Sequence, residues 1–125
     1  MRITIVGSGF IGRALARHWR QDPGLHITLT TTSAERLAAL EPLADRVVLC
    51  RAGRASELAA ALEGAEAAVF CQAPTGSSQV DAEAYRAVYR DPFAALQQLL
   101  PRLPGLERLV YTGRSSVLGD ARGGW

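Results

Sequence analysis

The chain contains no lysine: all 14 of its basic residues are arginine, so no tyrosine–lysine pair can form in it at any spacing. Cysteine is scarce as well. Cys50 and Cys71 each close an apolar run, fit no metal-ligand spacing, and are too few for a disulfide framework. Both are expected as buried free thiols in a reducing cytoplasm. No stretch approaches the ~20 apolar residues that a membrane span requires. The first apolar run is broken by glycines and then by arginines, unlike a secretion signal. The net charge is +2 and its arginines are scattered, which gives no clustered basic face for nucleic acid or a membrane surface. His18 and His26 stand apart, with no partner at metal or catalytic spacing, so no metal is expected and both read as surface or satisfied histidines. With these classes set aside, 125 residues at 48% hydrophobic and 21% charged describe one globular domain large enough for a real core.

What is present is concentrated at the start. Ile3–Val6 reads as a short apolar strand that turns through Gly7-Ser-Gly-Phe-Ile-Gly12 into a helix. Three glycines at that spacing have separate uses. Gly7 permits the tight turn, Gly9 lets backbone approach a pyrophosphate, and Gly12 lets helix pack close to strand. The free N–H groups of Ser8, Gly9, Phe10 and Ile11 at the helix N-terminus, with its positive dipole end, suit phosphates.

Strand and helix signals then alternate along the chain. Helix one runs from about Ile11 to Arg20 and stops at Asp22-Pro-Gly24. His26–Thr31 is a second strand. Ser33 is a plausible cap for a helix through about Leu40, with Pro42 ending it. Arg46–Cys50 is a third strand, Ser56–Leu62 a short helix closed by Gly64, and Ala67–Cys71 a fourth strand. A polar loop from Gln72 to Ser78 leads into a long helix from Asp81 to about Leu100, kinked or split at Asp91-Pro92. Leu106–Tyr111 is a fifth strand, with Tyr111 placed in the core. The pattern predicts an α/β fold: a doubly wound, Rossmann-like parallel sheet of five strands in order 3-2-1-4-5. Its ligand crevice would lie at the carboxyl ends of strands one and four. The Gly-rich turn, the end of strand two and the loop bearing Ala73 and Pro74 would converge there.

Sites for NAD usually place an Asp or Glu at the end of strand two to hold the ribose hydroxyls. Here that stretch is Thr30-Thr-Thr-Ser33, followed by Arg36. Thr31, Thr32 and Ser33, with Arg36 one turn in, suit a 2′-phosphate through charge-assisted hydrogen bonds, so NADP is expected over NAD. Taken singly, the threonines also fit β propensity, Ser33 a cap and Arg36 a solvated face. The missing acid decides between the two readings.

The glycine motif, the threonine-rich strand end, Tyr85-Arg-Ala-Val-Tyr89 and Tyr111-Thr-Gly-Arg-Ser-Ser-Val-Leu-Gly-Asp120 resemble the extended or atypical short-chain dehydrogenases/reductases, nearest to their NAD-dependent epimerase/dehydratase-like group. The resemblance runs the length of the chain. It implies a cofactor-binding Rossmann portion, residues 1–125, of an oxidoreductase or epimerase/dehydratase. Such enzymes use a tyrosine as acid/base, a lysine that lowers its pKa, and a Ser or Thr that orients the substrate oxygen. The unassisted phenol, near ~10, is too weakly acidic for that task at neutral pH.

Three departures from that pattern stand out. There is no lysine. Arg114 occupies the Ser/Thr position, which leaves Ser115 and Ser116 as the nearest catalytic candidates. Cys50-Arg51 replaces the aspartate that the group often carries after strand three. Tyr85 and Tyr89, one helical turn apart, are expected to pack against the sheet. The resemblance also implies further strands and a C-terminal substrate segment beyond Trp125. Without them, the edge of strand five would be exposed and would favour a homo-oligomer. A non-catalytic module that senses a dinucleotide, or serves only for interaction, is the alternative that the missing lysine favours.

Overall fold

In a computed structural model of the protein, the structure describes residues 1–71 and 90–112. Five strands form one parallel sheet: β1 (Arg2–Val6), β2 (His26–Thr31), β3 (Arg46–Leu49), β4 (Ala67–Phe70) and β5 (Arg108–Tyr111), in the order β3-β2-β1-β4-β5. This is the expected strand order. The reversal between β1 and β4 makes the switch point at which ligands bind in such sheets. Register is set by pairs such as Ile5 with Leu29 and Val69, which aligns the carboxyl ends of β1, β2 and β4.

Alternation along the strands divides the core into two layers, because successive side chains leave a strand on opposite faces. Ile3, Ile5, Ile27, Leu29, Val69 and Cys71 form one layer with Ala16 of α1 (Phe10–Trp19) and Leu40 of α2 (Leu37–Leu40). Trp19 packs against its edge, as expected of a packing residue. Val6, Ala68 and Phe70 form the other layer with Leu58 and Leu62 of α3 (Ala55–Leu62) and Leu96 and Leu99 of α4 (Asp91–Leu99). Thr4 points the same way and would strand a hydroxyl there, but its Oγ1 donates to the Ala61 carbonyl at 3.0 Å. That carbonyl belongs to the last turn of α3 and has no partner within the helix.

Several expectations change on contact with the structure. The segment expected as one helix from Ser33 to Leu40 is a 3-10 turn (Ala34–Arg36), the four-residue α2, and a second 3-10 turn (Glu41–Leu43) that holds Pro42 in its first positions. Ser33 is not a side-chain cap; no cap hydrogen bond leaves it, and its own N–H donates to Thr31 Oγ1 at 3.1 Å. Pro92 occupies the first turn of α4, where a proline costs no helical hydrogen bond. The part of the expected long helix from Asp81 to Tyr89 lies outside the described residues. Tyr111 is not in the core. It is 38% exposed, stacked on buried Phe70 at 5.3 Å between ring centroids. The edge strand β5 is exposed at each of its four residues. His18 and His26 are exposed, as expected of surface residues.

Candidate functional site

The carboxyl end of β1 runs directly into the glycine turn. Gly7 has φ +112°, a conformation that an L side chain rarely adopts. Its N–H donates to Thr30 Oγ1 at 2.9 Å, so the strand-two threonine preceding the expected trio holds the turn. Gly12 sits under the turn, and a Cβ there would lie 2.0 Å from the Gly7 carbonyl oxygen and 3.2 Å from Cys71 Sγ. Gly9 is the opposite case: a Cβ there would meet nothing within 4 Å. The first and third glycines therefore serve the fold, whereas the second borders open space.

Gly9 is also the N-cap of α1 and supplies no side-chain cap to it. No acidic residue lies in that helix's first turn, and among the described residues no side chain caps its N–H groups or compensates its dipole. Phe10 is 84% and Ile11 48% exposed there. Ser8 is buried, and among the described residues its hydroxyl makes no hydrogen bond. Two guanidinium groups reach the same loop. Arg36 Nη2 donates to the Ser8 carbonyl at 2.8 Å, and Arg13 Nε donates to the Gly9 carbonyl at 3.3 Å. Open space at Gly9, free N–H groups, an unused buried hydroxyl and adjacent cations fit a pyrophosphate.

Thr31 is buried, and its hydroxyl is taken up by the Ser33 N–H. Thr32 is exposed and Ser33 partly so. Arg36 is thus the member of the strand-two group that the structure brings onto the glycine loop. Ala73, Pro74, Tyr85, Tyr89, Arg114, Ser115 and Ser116 lie outside the described residues. Sequence reasoning missed Thr30 and Cys71. Thr30 follows the alternation that points it across the sheet toward the turn. Cys71 carries no comparable signal, yet its thiol lies 3.6 Å from the Val6 and 3.5 Å from the Gly7 carbonyl oxygens.

Both cysteines are buried free thiols, as expected. Burial raises the Cys71 thiol from 9.0 to about 11, and burial with the Glu57 carboxylate nearby does the same for Cys50. A raised thiol pKa contributes stability that is complete below the ordinary value and is lost as pH rises from 9.0 through about 11. Urea midpoints should therefore fall across that window in the wild type, and fall less in a variant carrying both Cys50→Ala and Cys71→Ala. A thiol reagent at pH 8 should leave both native cysteines unmodified and react with both in denaturant.

A cavity of about 480 Å³ lies at the other end of the sheet, between α3 and the loop before β5, lined in part by Leu62, Glu63, Arg102 and Leu106. None of the described candidate residues lines it. Among the described residues no group of three His, Cys, Asp or Glu could hold a metal ion, and no helix is long and apolar enough to cross a membrane.

Residues 7–103 match the model of a family described as NAD(P)H-binding. The chain belongs to that family. It is thus an NAD(P)-binding domain, and a nicotinamide dinucleotide is its cofactor class. No curated protein matches it significantly. Among solved structures, it is similar to a Bacillus halodurans protein assigned as an NAD-dependent epimerase/dehydratase, at 17% identity and TM-score 0.76, over 95% of this chain and 54% of that one. A UDP-galactose 4-epimerase is similar at 19% identity and TM-score 0.73, over 98% of this chain and 41% of the other. A serine dehydrogenase from Escherichia coli is similar at 16% identity and TM-score 0.67, over 100% of this chain and 64% of that one. At these identities the likeness is one of fold: the Rossmann-like architecture shared by epimerase/dehydratase and short-chain dehydrogenase/reductase proteins. The chain spans about half the length of the Bacillus protein.

Proposed function

We propose that residues 1–125 are the cofactor-binding portion of an epimerase/dehydratase-like or reductase-like enzyme that prefers NADP to NAD. One observation carries this reading. The Arg36 guanidinium lies on the Ser8 carbonyl at 2.8 Å, beside the glycine loop, and the end of β2 supplies no carboxylate to hold ribose hydroxyls. A cation in place of an acid favours a 2′-phosphate and removes the partner that NAD uses. Gly7, Ser8, Gly9, Phe10, Ile11 and Gly12 would take the pyrophosphate, and Thr32, Ser33 and Arg36 the adenosine end, with Thr31 shaping the turn between them. Ala73 and Pro74 complete the set from the segment after β4, and Ser115 and Ser116 are the nearest candidates for orienting a substrate oxygen. When bound, the dinucleotide supplies hydride transfer, while the protein binds and orients it.

Calorimetric titration with NADPH and NADH tests the preference. NADPH should bind at least ~10-fold more tightly, the equivalent of about one charge-assisted hydrogen bond. Near-equal affinities would remove the preference, and absence of binding would favour a second reading. In that reading the domain is a non-catalytic sensing or interaction module, which the complete absence of lysine supports.

For the 125-residue chain without the further strands of such an enzyme, we infer a homo-oligomer formed through β5. That strand is at the sheet edge with Leu109 41% and Val110 51% exposed, and such edges pair. Light scattering at high concentration should give at least a dimer mass; a monomer mass would refute it.

A further inference from the structure

Arg36 does more in this structure than present a charge. In a trans peptide the carbonyl of one residue and the N–H of the next point in opposite directions, and no described peptide bond is cis. The bond from Arg36 Nη2 to the Ser8 oxygen therefore fixes the direction of the Gly9 N–H. The next carbonyl, of Gly9, is held by the Arg13 N–H at 3.0 Å and by Arg13 Nε at 3.3 Å, which fixes the Phe10 N–H in the same way. Gly9 needs such restraint. It has no side chain, open space around its Cβ position, and no cap bond to define it. Arg36 comes from the other side of the crevice, from the 3-10 turn that follows β2. It has five N–H donors in a planar fork, and the Ser8 carbonyl engages one nitrogen.

We propose that Arg36 is a positioning residue for the pyrophosphate loop: its bond to the Ser8 carbonyl aims the Gly9 N–H at the dinucleotide phosphates, so that binding of both NADH and NADPH depends on it. The proposal rests on the dinucleotide reading above and adds to it. A residue that only reads the 2′-phosphate affects NADPH alone. A residue that also sets the loop affects NADH, which has no such phosphate.

The charge of Arg36 would also attract any pyrophosphate through space, and ionic strength separates the two effects. Attraction between exposed charges is screened within ~8 Å at 0.15 M salt and ~3 Å at 1 M. A preset N–H direction is indifferent to salt.

The test uses wild type, Arg36→Met and Arg36→Lys, titrated with NADH and NADPH at 0.15 M and 1 M salt, with thermal melts of each. Met keeps the stem and removes the donors; Lys restores a donor that can reach a carbonyl. Arg36→Met should weaken NADH about 5- to 10-fold at both salt concentrations, the share of one hydrogen bond. It should weaken NADPH further, with the excess shrinking at 1 M. Its melting temperature should match wild type, because Arg36 is exposed, and Arg36→Lys should recover most of the NADH loss.

NADH affinity within two-fold of wild type in Arg36→Met, alongside a selective NADPH loss, would overturn the positioning role and leave the NADP reading intact. A NADH loss that vanishes at 1 M salt would overturn it in favour of charge alone. Failure of wild type to bind either dinucleotide would overturn both.

Discussion

Gly12→Ala should destabilise the protein by about 3 kcal/mol or more, the upper end of what overpacking costs, and should abolish dinucleotide binding. In an exposed helix the same change stabilises by roughly 1 kcal/mol, because alanine is the better helix former. Here the sign reverses because the added methyl would sit 2.0 Å from the Gly7 carbonyl oxygen. That atom belongs to backbone in a conformation open mainly to glycine, with φ +112°. The turn cannot yield without releasing the Gly7 N–H from Thr30 and the Gly7 carbonyl from Cys71. Helix α1 must move instead, which opens the layer of Ile5, Leu29 and Val69 beneath it. Thermal melts should show a fall of roughly 10–20 °C for a domain of this size. A melting temperature equal to or above wild type would mean that the helix and turn are farther apart than the structure places them.

Gly9→Ala should do the reverse, leaving the fold intact and weakening NADPH about 100-fold, the loss of roughly 2.7 kcal/mol. The Cβ would meet no atom within 4 Å, and φ at Gly9 is −75°, which any residue adopts. Alanine there restricts the unfolded chain but is a poorer N-cap than glycine, so the two effects offset and stability should stay within ~1 kcal/mol of wild type. The open space it fills is the approach to the free N–H groups of α1, each of which would give a phosphate oxygen a charge-assisted bond. Thermal melts and NADPH titrations on the same preparation decide the outcome. Unchanged affinity would place the dinucleotide elsewhere. A large loss of stability would mean that Gly9, like Gly12, is structural. The pair of variants separates two uses of one motif that the spacing alone leaves indistinguishable.

Much of the fold was legible before any coordinates because it rests on local signals. β-branched and apolar runs bounded by Gly and Pro mark β1 through β5 to within two residues, and the spacing of helical segments forces parallel pairing. The errors fall where local signals are weakest. Ser33 has the side chain of a cap, but the chain there enters a 3-10 turn, and the serine N–H rather than its hydroxyl makes the bond. Tyr111 has the strand propensity of a core residue, but β5 is the sheet edge and leaves the ring partly exposed on Phe70.

By itself the sequence determined the parallel α/β class, the strand order, the glycine turn that opens α1, the absence of a carboxylate at the end of β2, and the absence of lysine, and so of a tyrosine–lysine pair, within residues 1–125. These depend on residue type and spacing along a single stretch of chain. Only the tertiary structure decided which glycine is filled and which is open, that Thr30 rather than Thr31 bonds the glycine turn, that Cys71 lies beneath it, and that Arg36 rests on Ser8 from 28 residues away. Each of these is a distance between segments remote in sequence. Such distances are set by how the two layers of side chains pack against the sheet, and no local pattern of residues encodes them.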